Sequence, residues 1–194
     1  MIAYIKGHFT DVSPIRVLVE CNGIGYQLNI SLYTYQQIQG MKEGMLYTHF
    51  HVREDQQTLY GFANTEERKL FRMLISVSGI GTSTAILVLS AYPPVEIQSA
   101  ILNNNLSLIK SIKGIGPKTA QRLVLELSDK LGKEPPFGDS SDDKSNSLKS
   151  EALSALTILG YSRLEAEKVI QKTLQKQSDI QNVEQLIKAA LKNI

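Results

Sequence analysis

Ser78-Gly79-Ile80-Gly81-Thr82-Ser83-Thr84-Ala85 is followed thirty-five residues later by Lys113-Gly114-Ile115-Gly116-Pro117-Lys118-Thr119-Ala120. An apolar run with helical spacing leads into each Gly-Ile-Gly and another leaves it, which predicts helix, tight turn, helix, twice over. The second helix of each pair begins with unpaired N–H groups and a positive dipole end, which together form an anion site. Two such hairpins suit the two phosphate backbones of duplex DNA. The repeat therefore predicts nucleic-acid binding, and it contains no catalytic group.

Three other interpretations fit the repeat less well. Single glycines often follow helix C-termini, but a cap needs one glycine and not the same eight-residue pattern twice. A P-loop fails because Pro117 separates Gly116 from Lys118 and no upstream glycine has the required spacing. A dinucleotide-binding fingerprint fails because Gly79-Ile80-Gly81 lacks the third glycine and follows a helical run.

The predicted phosphate contacts come from the N–H groups that follow the four glycines, and Lys118 adds a positive charge. Residues 63–132 carry eight basic and five acidic groups, whereas residues 1–62 carry four and five. This excess of positive charge is modest, so backbone N–H groups must provide much of the phosphate binding. The predicted DNA-binding residues are Gly79, Ile80, Gly81, Thr82, Ser83, Gly114, Ile115, Gly116, Pro117, Lys118, Thr119 and Arg122.

Composition is that of a soluble protein. The 194 residues are 42% hydrophobic, and the formal net charge is +2. No apolar run approaches the ~20 residues of a membrane span, and Met1–Lys6 does not have the pattern of a signal peptide. The lone Cys21 excludes an intramolecular disulfide and fits a reducing compartment. We therefore expect a cytoplasmic protein.

The first domain, residues 1–63, is predicted to be an OB-type β-barrel. Arg16–Cys21 and Tyr26–Ile30 alternate around Asn22-Gly23-Ile24-Gly25, which is a strong hairpin signal. Leu46–Val52 alternates again and turns into Thr58–Phe62. Several short strands within about sixty residues are typical of a small closed or partly open barrel. The fold class is therefore multidomain α+β.

The remainder of the chain is predicted to be helical, with one interruption. Residues 64–132 contain about five helices and hold both hairpins. Residues 133–147 are polar and acidic, which predicts a flexible linker. Residues 148–194 form a small three-helix, UBA-like domain, whose first helix stops at Gly160. Capping patterns open its second helix at Ser162 with Glu165 and its third at Asn182 with Gln185.

Other chemistry-bearing residues are few. His49 and His51 share one face of a strand, but no cysteine or carboxylate pattern completes a metal site, so no metal or other cofactor is expected. Glu54-Asp55 is the acidic pair of interest. It fits a solvated hairpin turn, and a nuclease site would need further acids. The sequence contains no Gly-x-Ser-x-Gly elbow, metalloprotease helix motif or Walker A motif, so no catalytic residue is predicted.

At the level of longer motifs, the chain resembles the RuvA family of Holliday-junction-binding subunits over its whole length. The specific matches are Tyr47–Phe50 running into Val52–Asp55, then Leu59–Phe62, Glu67-Arg68, the two glycine hairpins, and Leu159-Gly160-Tyr161. The resemblance implies a non-enzymatic homotetramer, or an octamer of two tetramers, that binds four-way DNA junctions in recombination, repair and the SOS response. Glu54 and Asp55 would form the family's acidic pin at the junction crossover.

The same resemblance implies partners. The C-terminal domain would recruit RuvB, a hexameric ATPase that supplies the motor for branch migration, and a junction resolvase is a further candidate partner. An apolar surface drawn from Leu156, Leu159 and Tyr161 is the expected motor contact, although some of these residues must also form the small core.

One departure from the family pattern concerns the first hairpin. Thr82-Ser83 stands where the family often has Pro-Lys, so a cation is missing there. We therefore expect the second hairpin to bind DNA more strongly than the first. Two other functions stay open from the residues alone, namely a general duplex-binding scaffold for a repair enzyme and a metal nuclease that uses Glu54 and Asp55.

Overall fold

The structure is a computed structural model, and it describes residues 2–134, 137, 151–153, 155–157, 159–161, 163–176 and 182–191. The chain divides into two compact units, Met1–Gly138 and Asp139–Ile194. The first unit contains the predicted barrel and both hairpins, and the second contains the C-terminal helices.

Five strands form a closed barrel at the start of the first unit, in the order β1-β2-β3-β5-β4. All neighbouring strands are antiparallel except β3 and β5, which are parallel. The predicted OB-type barrel is thereby confirmed. The strands are β1 (Tyr4–Ser13), β2 (Arg16–Cys21), β3 (Ile24–Asn29), β4 (Glu43–Val52) and β5 (Gln57–Phe62), with helix α1 (Leu32–Ile38) between β3 and β4.

The predicted hairpin between β2 and β3 closes with a two-residue turn. Asn22 has a φ of 51° and Gly23 a φ of 81°, while Cys21 pairs with Ile24 across the turn. Positive φ at both central positions matches the right-handed twist of the flanking strands, and Asn-Gly adopts it at little cost. The turn fixes the register that directs Val17, Val19 and Leu28 into the barrel core.

Five helices follow the barrel, as predicted, and they carry the two hairpins. Their buried faces form one continuous core with Phe62 and Tyr60 of β5. Among the described residues no single helix is long and apolar enough to cross a membrane, although α3 and α4 together, bent by 99°, meet that criterion by length and composition. The helices are α2 (Thr65–Ile75), α3 (Thr82–Ala91), α4 (Pro94–Leu102), α5 (Leu106–Ser111) and α6 (Pro117–Leu131).

A buried carboxylate joins the helices to the barrel. Glu67, in the first turn of α2, is fully buried and accepts hydrogen bonds from the hydroxyls of Ser31 and Thr34, the latter at 2.6 Å. Ser31 also caps α1 by accepting from the Thr34 N–H at 3.0 Å, and the Ala63 N–H donates to the Thr34 hydroxyl at 3.1 Å. Burial raises the pKa of Glu67 from 4.5 to about 7, against the opposing effect of these hydrogen bonds.

The raised pKa of Glu67 predicts a pH-dependent stability. Between about pH 4.5 and pH 7 the folded chain keeps a proton that the unfolded chain has released. Stability therefore falls as the pH rises through this window, by on the order of 3 kcal/mol in total. Glu67→Gln is neutral at every pH and lacks this loss. Calorimetric unfolding at pH 5 and pH 8 measures the difference. Between these pH values, the melting temperature of Glu67→Gln should rise by roughly 10 °C relative to that of the unmodified chain.

The control for this measurement is Glu66→Gln, which removes a carboxylate from the same helical turn without touching Ser31 or Thr34. Its melting temperature should follow that of the unmodified chain at both pH values. If Glu67→Gln also follows the unmodified chain, Glu67 is ionised throughout the window, and the hydroxyl hydrogen bonds outweigh burial.

The first unit extends beyond α6 to a buried aromatic residue. Phe137 is 5% exposed and packs in the helical core, and its N–H donates to Oε1 of the buried Gln98 at 2.7 Å. Glu134 forms an ion pair with Lys69 of α2. The predicted linker over 133–147 thus begins with anchored residues, while its remaining part lies outside the described residues.

The second unit is helical, in agreement with the predicted UBA-like domain. Residues 151–153 and 155–157 are helical, and α7 (Arg163–Lys176) and α8 (Val183–Leu191) follow. Gly160, with a φ of 99°, ends the first helical segment, and the Tyr161 N–H bonds the Leu156 carbonyl at 3.1 Å. Asn182 caps α8 by accepting from the Gln185 N–H at 2.9 Å. The predicted cap Ser162 lies outside the described residues.

Candidate nucleic-acid interface

The two glycine hairpins have the same backbone geometry. Gly79 and Gly114 both have a φ of 91°, a conformation that L-residues avoid and glycine adopts freely. One residue later, the N–H groups of Ile80 and Ile115 each donate to a carbonyl three residues back at 3.1 Å, and both isoleucine side chains are buried. Each turn is therefore fixed from within, by one glycine with positive φ and one apolar anchor.

The helices that leave the turns begin without side-chain caps. Gly81 is the N-cap of α3 and Gly116 the N-cap of α6, and neither end receives a side-chain hydrogen bond. Both glycines are exposed, and a Cβ atom at either position would meet no atom within 4 Å. The first N–H groups of each helix thus face open space, which is the arrangement that binds phosphate.

The structure corrects which N–H groups are available. The N–H groups after Gly79 and Gly114 are already bonded inside the turn, which argues against the phosphate contacts predicted for these two groups. The residue after Gly116 is Pro117, which has no N–H. The donors left are therefore those at the start of α3 and α6, and the first hairpin has one more of them than the second.

The side chains predicted to bind DNA separate into exposed and inward-facing groups. Ser83 and Lys118 occupy equivalent positions and are both exposed, as is Pro117. Thr82 is only 8% exposed, so it is poorly placed for the contact predicted from its hydroxyl. Ile80 and Ile115 act as anchors rather than as contacts.

The two hairpins also lie against each other symmetrically. A Cβ atom on Gly79 would lie 3.8 Å from the hydroxyl oxygen of Thr119, and one on Gly114 would lie 3.8 Å from the methyl carbon of Thr84. Thr84 and Thr119 are equivalent in the repeat, so each hairpin packs its threonine on the other hairpin's glycine. Thr119, predicted to bind DNA, thus lies between the two hairpins, as does Thr84, which the sequence did not single out.

Glu54 and Asp55 lie at the tip of the β4–β5 hairpin. The turn closes with a hydrogen bond from the Arg53 N–H to the Gln56 carbonyl at 2.8 Å. Both carboxylates are exposed, and within the described part of the chain neither forms an ion pair. They form a compact, exposed negative charge at the position where the resemblance implies the acidic pin.

His49 and His51 lie on one face of β4, as predicted, but their surroundings are cationic. The Arg53 side chain donates to Nε2 of His51 at 3.1 Å. Burial, Arg72 and His51 lower the pKa of His49, and its ring packs against Phe71 with 5.3 Å between centroids. No cluster of three or more metal-ligating side chains occurs among the described residues. The contact with Phe71 makes His49 part of the packing between β4 and α2.

The residues predicted to contact a motor are only partly on the surface. Leu156 is fully buried in the core of the second unit, so it is one of the three that form the small core. Tyr161 is partly buried against that core, and Leu159 is 59% exposed. Leu191 of α8 is a further exposed apolar residue of this unit, which the sequence analysis did not single out.

An OB-type barrel followed by paired helix-hairpin-helix motifs with uncapped helix starts defines a class of DNA-backbone-binding proteins. Family models agree: the RuvA N-terminal domain matches residues 1–61, a SAM-like helix-hairpin-helix tandem matches 71–129, and the RuvA C-terminal domain matches 147–194. The chain belongs to the RuvA family.

Curated relatives named "Holliday junction branch migration complex subunit RuvA" align over the whole chain. The relative from Christiangramia forsetii is 49% identical over 194 residues, and that from Flavobacterium psychrophilum is 45% identical over 194 residues. The relative from Bacteroides thetaiotaomicron is 43% identical over 202 residues. In all three pairs the alignment covers 100% of both proteins.

Lys118→Ala is expected to weaken DNA binding to a similar degree for all sequences, because a phosphate contact carries no base information. Loss of one cation–phosphate contact should flatten the dependence of log K on log salt by about 0.9 for each occupied site. Titrations at several salt concentrations measure this slope. Lys130→Ala removes the same charge from the last turn of α6 and should leave the slope unchanged, whereas an unchanged slope in Lys118→Ala argues against a phosphate contact.

Proposed function

We propose that this chain binds four-way Holliday junctions by their structure, holds them open, and recruits a hexameric RuvB-type ATPase for branch migration in recombination and repair. The observation that carries the proposal is the pair of hairpins with equal geometry and uncapped, exposed helix starts. Family membership supports it, since the named relatives are subunits of a branch migration complex. The chain acts as the DNA-binding subunit, and the ATPase chemistry belongs to the motor.

Each hairpin holds one stretch of phosphate backbone without reading bases. Neighbouring helix starts direct N–H groups and positive dipole ends at the phosphates, and Lys118 adds a cation. A homotetramer, or two tetramers enclosing one junction, would present such a pair to each of the four arms. We place this assembly in the cytoplasm, with roles in repair that include the SOS response and a junction resolvase as a further partner.

The acidic pin gives selectivity through repulsion. Two exposed carboxylates near the junction centre would repel the phosphates of a continuous duplex laid across the surface. An open crossover has separated strands, so it can place its phosphates away from the pin. The pin thus lowers the affinity for the wrong substrate more than for the right one, which is a common source of specificity.

Glu54→Gln combined with Asp55→Asn should raise affinity for linear duplex several-fold and leave junction affinity equal or higher, because the change removes repulsion and deletes no attractive contact. Competition titrations with both substrates measure the ratio. A matched control, Glu20→Gln with Asp129→Asn, changes the net charge equally at exposed sites outside the pin. If the control raises duplex affinity as much as the pin variant, only overall charge matters and the pin has no separate role.

The proposed function itself is tested by comparing a four-way junction with linear duplex of the same length and sequence. Junction affinity should exceed duplex affinity by at least about 100-fold, which is the scale of two charge-assisted hydrogen bonds. Size measurement of the complex gives the number of protomers. Equal affinity for both substrates indicates instead a general duplex-binding scaffold, and magnesium-dependent cleavage indicates a nuclease.

The second unit is the proposed docking site for the motor. Its core is small and mostly aliphatic, with Ala152, Leu156, Ala166, Ile170, Leu186 and Ala190 buried. Leu159 follows the first helical segment and precedes Gly160, so its exposed side chain lies at the end of that segment. We propose that Leu159, rather than Leu156, contacts the motor.

A further inference from the structure

Arg122 of the second hairpin's helix reaches the first hairpin. Its Nη1 atom donates to the carbonyl of Ser78 at 3.4 Å, and Ser78 immediately precedes Gly79, the glycine with positive φ. The guanidinium group therefore stands beside the turn of the first hairpin, although Arg122 belongs to α6.

In the part of the chain that the structure describes, no equivalent contact runs in the other direction, because the first hairpin has uncharged residues at the two corresponding positions. The position equivalent to Arg122 in the first hairpin is Leu87, which is 44% exposed and carries no charge. The position equivalent to Lys118 is Ser83, which is also uncharged. The second hairpin thus has its own lysine and receives no cation from its neighbour, whereas the first hairpin lacks a lysine and receives Arg122.

The guanidinium group has capacity for a ligand in this position. Arginine carries five N–H donors, and the Ser78 carbonyl uses one of them. The ion pair of Arg122 with Glu126, at 3.8 Å between Nε and Oε1, joins two side chains that are both more than a third exposed, so it is weak. A phosphate competes well for such a group, because the planar fork can bond two of its oxygens.

We infer that Arg122 binds the phosphate held by the first hairpin and stands in for the lysine that Ser83 replaces. Helix α6 then supplies a cation to both helix starts, Lys118 to its own hairpin and Arg122 across the pair to the first hairpin, which has no lysine. This inference rests on the proposed DNA binding, and it replaces the expectation that the second hairpin binds more strongly because it alone has a cation.

A double-mutant cycle on the full-length chain tests which hairpin Arg122 serves. Gly81→Ala and Gly116→Ala should each weaken phosphate binding by one hairpin. Both variants should fold, because φ is −87° at Gly81 and −81° at Gly116 and a Cβ atom at either position meets no atom within 4 Å. Arg122→Gln is combined with each. Junction affinity is measured over a salt series, with thermal unfolding as the check on folding.

Arg122→Gln alone should lower affinity about tenfold, as expected for one charge-assisted contact. The same loss should persist in Gly116→Ala and shrink to less than about threefold in Gly81→Ala, because mutations that share one contact are not additive. Added to Arg122→Gln, Ser83→Lys should restore most of the lost junction affinity. In the unmodified chain, Ser83→Lys should raise junction affinity by a smaller factor. Lys130→Ala is the charge control, with no expected loss.

An equal loss in both glycine backgrounds, or a larger loss in Gly81→Ala, overturns the inference. The inference is also overturned if Ser83→Lys raises junction affinity by the same factor in the unmodified chain and in Arg122→Gln. These outcomes differ from failure of the proposed function, since in that case the unmodified chain does not prefer the junction over linear duplex.

Discussion

Gly116→Val is expected to lower junction affinity by about 100-fold while the protein remains folded. The N–H donors at the start of α6 approach phosphate across an exposed glycine, and a branched side chain there blocks the approach. Loss of two charge-assisted hydrogen bonds corresponds to about that factor. The backbone at Gly116, with φ −81° and ψ 168°, is extended and suits valine before proline. Gel shift and thermal unfolding measure the two effects separately.

Gly114→Val gives the informative contrast at a distance of two residues. The φ of 91° at Gly114 lies in the left-handed region, so any side chain strains the turn by about 1–2 kcal/mol or more. This variant should lose both stability and binding, whereas Gly116→Val should lose binding with a melting temperature lowered by only a few degrees, the effect of a poorer helix cap. Wild-type affinity in Gly116→Val would show that the helix starts are not phosphate sites.

The hairpins were predictable because the repeat carries local information. Glycines with positive φ, apolar anchors and helix starts recur thirty-five residues apart, and the turn requires a φ at Gly79 and Gly114 that few other residues adopt. The Asn22-Gly23 turn was predictable for the same reason. Phosphate binding could be predicted from the same motifs, because the groups that would bind phosphate are backbone N–H groups within them rather than side chains from distant parts of the chain.

Other features of the site depend on tertiary packing and were not predictable. The spacing of residues does not predict that the Ile80 N–H donates a hydrogen bond within its own turn, or that Thr82 is buried. Leu156 and Leu159 are both apolar residues at one helix end, and only packing decides that the first is buried and the second exposed. The contact between Arg122 and Ser78 joins residues 44 apart in the chain.

Two elements of the barrel were missed because their sequence signals are weak. Strand β1 (Tyr4–Ser13) is ten residues long, and its register shifts between Phe9 and Asp11, so strict alternation is lost. Helix α1 (Leu32–Ile38) has seven residues and buries only Thr34 and Ile38. Its position is set by the Ser31 cap and by the Glu67 carboxylate of α2, a partner far along the chain.

Truncation after Gly138 is expected to leave a folded junction binder that fails completely to stimulate the motor. The first compact unit ends at this residue, and its helical core retains Phe137. Removing the second unit deletes the proposed docking site and no hairpin residue. Junction affinity of the truncated chain should therefore equal that of the full chain, while branch migration driven by a RuvB-type ATPase falls to the rate of the motor alone.

A cut six residues earlier, after Gly132, separates the docking role from the stability of the first unit. That chain also loses Phe137, whose buried ring is worth about 3–5 kcal/mol, and the ion pair between Glu134 and Lys69. Its melting temperature should fall well below that of the chain ending at Gly138, so a loss of motor stimulation measured on it alone would be ambiguous. The longer chain removes this ambiguity, and full stimulation by it would place the motor contact within the first unit.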